Sequence, residues 1–151
     1  MVNLIVNGVR HTLDLPDDVP LIYVLRNALA LKSVKLGCGL EQCGACKVLV
    51  DGTPAYSCVA VAKSFEGRRI ETVEGMADHP GLHPVQRVLL VANAAQCGYC
   101  LSGILMAAKG LFDRTAVPSR AEIRDALDDH LCRCGAQPRI LRALDRLAGH
   151  D

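Results

Sequence analysis

Leu36-Gly37-Cys38-Gly39-Leu40-Glu41-Gln42-Cys43-Gly44-Ala45-Cys46 decides how this chain is read. It spaces three cysteines as C-x4-C-x2-C, and Cys58 supplies a fourth after a short gap. That is the plant-type spacing in which four thiolates hold a [2Fe–2S] cluster. Gly37, Gly39 and Gly44 give the loop freedom to fold tightly. Their N–H groups are expected to point at the sulfurs. A four-thiolate zinc site is the rival, but zinc usually takes two short C-x2-C pairs.

The remaining cysteines form a second set. Cys97 and Cys100 make a C-x2-C, and Cys132 and Cys134 a C-x-C. Taken alone this spacing also suits zinc. The ligands are expected at helix N-termini, where free N–H groups and the dipole favour anionic sulfur. The eight cysteines are used without remainder. The first residues lack a basic segment and a long apolar run, so an intracellular, cytoplasmic protein is expected. Metal is favoured over disulfides in that compartment.

Composition excludes several classes. Net charge is +1, with three Tyr, two Phe and no Trp. Neither a basic field nor a stacking platform points to nucleic acid. No apolar run is long enough to span a bilayer. There is no G-x-G-x-x-G and no P-loop, so no nucleotide site is expected on this chain.

The first half reads as strands. Val2–Val6 and Val9–Leu15 flank Asn7-Gly8, a type I′ hairpin signal. Residues 21–29 suit a short helix. Lys47–Val50, a strand after Asp51-Gly52, and Ile70–Val73 complete a small mixed sheet. After Gly75 the pattern turns helical, with helices expected at about 84–95, 101–113, 119–130 and 137–148. Ser119 and Glu122 form a capping box. The expected division is a sheet domain at 1–75, a linker at 76–81 containing Pro80, and a helical domain at 82–151. Each half is roughly 75 residues, small enough to need metal or partner support. Some of the 50% hydrophobic content is expected in a subunit interface.

Together the motifs LGCGLEQCGACKVLVDG, HPVQ at His83–Gln86, QCGYC, EIRDAL and LCRCG resemble the iron–sulfur small subunit of the molybdenum hydroxylases. This is the xanthine dehydrogenase and aldehyde oxidoreductase family. The resemblance implies an α+β chain: a β-grasp, plant-type ferredoxin domain, then a four-helix bundle, each with one [2Fe–2S] cluster. It implies a large partner subunit with molybdopterin cytosine dinucleotide, which hydroxylates the substrate. Electrons would leave through the helical site, then the ferredoxin-type site, to a cytochrome or flavin acceptor. Gln96 and Cys134 would lie near the pterin, with no direct membrane insertion.

Three stretches depart from the family pattern. Lys47 stands where Thr is usual, Leu101-Ser102-Gly103 replaces Thr-Pro-Gly, and Gly135–Pro138 replaces Thr-Gly-Tyr. They resemble the branch acting on N-heteroaromatic rings such as nicotinate or isoquinoline. Aldehydes are the other substrate class. A zinc-stapled interaction module is the alternative to electron transfer. Among other candidates, Arg133 reads equally as solvated or as offsetting cluster charge, and Glu41 and Gln42 as docking polarity or plain loop. Tyr99 reads as core packing at a helix start, ahead of a place near the second cluster. With eight thiols already assigned, His83, His130 and His150 read as caps or surface ahead of metal ligands, and His11 and His79 as surface. Ser102 has no base to activate it.

Overall fold

The computed structural model describes residues 1–77 and 81–150. Five strands come first: β1 (Val2–Val6), β2 (Val9–Leu13), β3 (Val48–Val50), β4 (Thr53–Ala55) and β5 (Arg69–Glu71). A single turn, α1 (Leu21–Tyr23), lies between β2 and β3. Four helices follow: α2 (Pro84–Val91), α3 (Leu101–Arg114), α4 (Arg120–Leu127) and α5 (Gln137–Leu147). This is the α+β order the sequence implies. The expected linker falls partly outside the described residues, at 78–80, which include His79 and Pro80.

Asn7 and Gly8 take φ of 49° and 78°, the paired positive angles of a type I′ turn. β1 and β2 accordingly pair antiparallel from Val2↔Leu13 to Val6↔Val9. β5 lies parallel to β1 and antiparallel to β3, so the sheet is mixed, in the order β2-β1-β5-β3-β4. Alternate residues Val2, Leu4 and Val6 of β1 are buried, the period-2 pattern of a strand with one face on a core. Against them sit Leu21, Ile22, Val24 and Leu25, all buried. The expected helix over 21–29 is irregular. After α1 it widens into a π-type turn over Val24–Ala28, closed by Leu29 N–H on the Val24 carbonyl at 3.0 Å.

The helical half is capped as its sequence implies. His83 Nδ1 accepts from Val85 N at 3.2 Å, and Gln86 Oε1 accepts from His83 N at 3.1 Å. Ser119 and Glu122 exchange the same reciprocal bonds before α4. α2 stops at Val91, short of the expected 95, because Asn93 takes the left-handed conformation, φ 44°. Asn is one of the few residues that adopts it readily. α4 likewise ends at Leu127, short of 130, where Asp128 caps it. The four helices close on one another: α2 and α4 each pack against both α3 and α5. Val85, Leu89, Ile104, Ile123, Ile140 and Leu144 fill the space between them.

The two halves meet over β3. Val48 and Val50 point into the sheet core, while Leu49, on the opposite face, is buried among the helices. α3 makes this possible with small residues at Gly103, Ala107 and Gly110, spaced i, i+4, i+7 on one face. A Cβ on Gly110 would stand 2.9 Å from Leu49 Cδ2. A Cβ on Gly103 would stand 2.0 Å from the carbonyl oxygen of Gly44, inside the first cysteine loop. Backbone cannot yield as a flexible side chain does. Gly103→Ala is therefore expected to destabilise the chain by about 3 kcal/mol, the upper part of the usual overpacking range. Neighbouring Ser102→Ala serves as the control. Its buried Oγ has no hydrogen-bond partner among the described residues, so its removal should be neutral or mildly stabilising. Thermal unfolding followed by circular dichroism tests both; a wild-type midpoint for Gly103→Ala would show that close docking is not required.

Candidate iron–sulfur sites

None of the eight cysteines is in a disulfide. The structure gathers them in pairs. Cys38 and Cys43 interact through their side chains, and Cys38 N–H also donates to Cys43 Sγ at 3.3 Å. Cys46 and Cys58 form the second pair, both buried in the sheet core. In the helical half Cys97 pairs with Cys134, and Cys100 with Cys132. All four of these line one small cavity together with Gln96. Among the described residues, no three His, Cys, Asp or Glu side chains surround a single point as one metal ion would require. Two thiolates at each end of a two-iron diamond is the arrangement of a [2Fe–2S] cluster, whereas zinc draws four ligands to one centre. The donor sets therefore fit two-iron clusters.

Each loop is built to hold negative sulfur. Leu40 N–H and Gln42 N–H both donate to Cys38 Sγ at 3.3 Å. With Gln42 contributing most, they hold this exposed thiol down at about 7. The donors are not the glycines the sequence suggested. Glycine supplies room instead: a Cβ on Gly37 would lie 2.5 Å from Cys43 Sγ. Burial pushes Cys46 up to about 11, and Cys100 up to about 12. The N–H of Tyr99, then Cys134, lowers exposed Cys97. Burial opposes ionisation of Cys132, but N–H donors led by Ala136, at 3.3 Å, outweigh it. So each site has an exposed thiol whose ionisation N–H donors favour and a more enclosed one whose ionisation burial opposes.

The two sites touch through backbone. Leu131 N–H donates to the Cys43 carbonyl at 3.1 Å, and Leu131 is bonded directly to Cys132. Tyr99, expected as packing, is half exposed and donates its hydroxyl to the Leu36 carbonyl at 2.6 Å. His130, expected at a cap or the surface, is buried. Its ring lies where a Cβ on Gly44 would be, 2.5 Å from Cδ2, and burial lowers its pKa. His83 is the cap described above, and His150 Nε2 lies 2.9 Å from the Pro118 carbonyl. Arg133 is exposed, as the solvated reading expects, and His11 is half-buried.

The first cysteine region matches the "2Fe-2S iron-sulfur cluster binding domain" model over residues 4–74. Residues 72–145 match the "[2Fe-2S] binding domain" model. The chain is 46% identical over 147 residues to a nicotinate dehydrogenase chain of Pseudomonas putida, covering 97% of this chain and 94% of the relative. The chain belongs to the iron–sulfur small subunits of the molybdenum hydroxylases. It is 42% identical over 150 residues to the alpha chain of isoquinoline 1-oxidoreductase from Brevundimonas diminuta, covering 98% and 97%. Its backbone is similar to a chain of quinoline 2-oxidoreductase from Pseudomonas putida, with TM-score 0.91 and 33% identity over 98% of this chain and 93% of that one. Like its family, it is an electron-transfer component of an oxidoreductase and carries two [2Fe–2S] clusters. The zinc-stapled alternative finds no support.

Cys43→Ser keeps the carbonyl that Leu131 uses, so the second site should still load. Iron per chain should fall from about four to about two, since a [2Fe–2S] cluster carries two irons. Iron analysis with EPR of the reduced variant checks this; loss of both signals would mean the sites assemble only together.

Proposed function

We propose that Cys38, Cys43, Cys46 and Cys58 hold the first cluster, and Cys97, Cys100, Cys132 and Cys134 the second. When bound, each cluster takes up and gives back one electron. On this reading residues 1–75 form a β-grasp ferredoxin domain, 76–81 a linker, and 82–151 a four-helix bundle domain. Electrons enter at the second site from molybdopterin cytosine dinucleotide in a large partner subunit, and leave by way of the first.

One observation carries this direction. Gln96 and Cys97 are exposed, and Gln96 lines the cavity of the second cysteine set beside Cys134. A pterin in a docked partner would reach sulfur there without crossing protein. Leu90 and Val91, at the end of α2, are exposed apolar residues close to Gln96 in sequence, and suit a protein interface. From there the Leu131-to-Cys43 hydrogen bond offers a short route onward, crossing one non-covalent step. At the far end, Leu40 and Glu41 of the first loop would meet an acceptor, a cytochrome or a flavin protein; Leu40 is 65% exposed there.

The substrate class follows the relatives named for nicotinate, isoquinoline and quinoline: an N-heteroaromatic ring, or failing that an aldehyde. The chemistry on it belongs to the partner. Among the described residues no helix is long and apolar enough to cross a membrane, and a cytoplasmic location, where cysteines stay reduced, suits eight cysteines that serve as cluster ligands.

Cys97→Ser in the assembled complex should block reduction of the first cluster by an N-heteroaromatic substrate. Reduction by dithionite should survive. Stopped-flow absorbance with freeze-quench EPR separates the two; substrate reduction of the first cluster at the wild-type rate would reverse the proposed order.

A further inference from the structure

Lys47 follows Cys46 directly, yet its side chain turns inward and is only 11% exposed. A buried ammonium is costly unless it is paired. Asp129, from the helical half, pairs with it: Lys47 Nζ donates to Oδ1 at 2.8 Å and stands 2.6 Å from Oδ2. Tyr56, two residues before Cys58, donates its hydroxyl to the same carboxylate. The Tyr56 ring also lies under the ammonium, with Nζ 5.0 Å from its centroid. His130 Nδ1 is 3.1 Å from Oδ1, at an angle that makes no hydrogen bond. Partial burial opposes ionisation of Asp129, but the bonds from Lys47 and Tyr56 outweigh it and keep it a carboxylate. Ser57, between Tyr56 and Cys58, donates its hydroxyl to the Cys46 carbonyl at 2.7 Å, which ties this corner to the first cysteine set. Two opposite charges, the ammonium mostly enclosed and the carboxylate partly so, thus sit beside a site whose own charge changes whenever it works.

We propose that the two charges of the Lys47–Asp129 pair bias the reduction potential of the first [2Fe–2S] site in opposite directions, Lys47 raising it and Asp129 lowering it. The proposal rests on the assignment of that site to Cys38, Cys43, Cys46 and Cys58. Reduction there adds one electron and moves no atom, so the site becomes more negative by one charge. A nearby ammonium favours the reduced state and a nearby carboxylate disfavours it, strongly where water is excluded. Both are positioning residues, acting on the site through space.

A purely mechanical strut between the halves would behave differently. Cutting it at either end would have the same effect, whereas removing opposite charges has opposite effects. The test is an EPR-monitored redox titration of the assembled complex, with dithionite as the electron donor. Lys47→Met should move the first potential down, and Asp129→Asn should move it up. Lys47→Arg should leave it near wild type, and the double variant Lys47→Met with Asp129→Asn should return it toward wild type. The second site's potential should hold steady in all of them and serves as the internal reference. Shifts of the same sign in Lys47→Met and Asp129→Asn, or no shift in either, overturn the proposal. If Lys47→Met fails to load its cluster, Asp129→Asn decides alone: a rise supports the proposal, and no change or a fall overturns it. A wild-type complex without two [2Fe–2S] signals would instead overturn the ligand assignment itself.

Discussion

The contact between the Gly103 backbone and the Gly44 carbonyl is the constraint on which the rest of this structure depends. There the backbone of α3 comes so close to the first cysteine loop that no side chain fits between them. The approach brings Leu131 within hydrogen-bonding reach of Cys43 and Tyr99 within reach of Leu36. It also seats the His130 ring against Gly44. An electron carrier needs its two sites joined by dense protein, because tunnelling weakens steeply with distance and a wet gap adds reorganisation. Small residues on α3 meet that need at the cost of any freedom to mutate them.

Docking also explains how two small halves are stable. Neither sheet nor helices bury a large core alone, as expected below about 80 residues. Leu49 resolves part of the shortage by serving the helical core from a strand of the other half. β3 is consequently buried on both faces, unlike β1, whose alternation leaves one side half-exposed. The first site therefore sits at a seam, with Cys46 and Cys58 packed in the sheet core and the Cys43 carbonyl held by the helical half.

Much of this is legible in the sequence, for local reasons. Asn7-Gly8 dictates its hairpin, Ser119 with Glu122 its cap, and the cysteine spacings their grouping in two sets, since each signal acts over a few residues. What is not legible acts over long separations. His130 reads as a polar residue near a helix end, and nothing nearby in sequence says that Gly44 leaves space for its ring. Tyr99 reads as packing because its acceptor, the Leu36 carbonyl, lies far upstream. The donors to Cys38 differ from the expected glycines because glycine conformation and N–H direction are separate properties of one loop. The end of α2 and the wide turn after α1 follow from Asn93 and Ala30 in left-handed conformations, and Ala30 gives no such warning.

Lys47 shows how a departure from a family pattern acquires meaning only with the fold in hand. In the sequence it is an unexplained cation beside a cysteine. In the structure it is one end of a charge pair reaching across the seam, with Tyr56 and His130 around the same carboxylate. A threonine's short side chain carries no cation to Asp129, and Asp129 without one would be a half-buried carboxylate with no counter-charge from Lys47. Each member makes the others tolerable. The group is thus better understood as one unit, in which docking of the halves and the electrostatics of the first site are settled by the same few atoms.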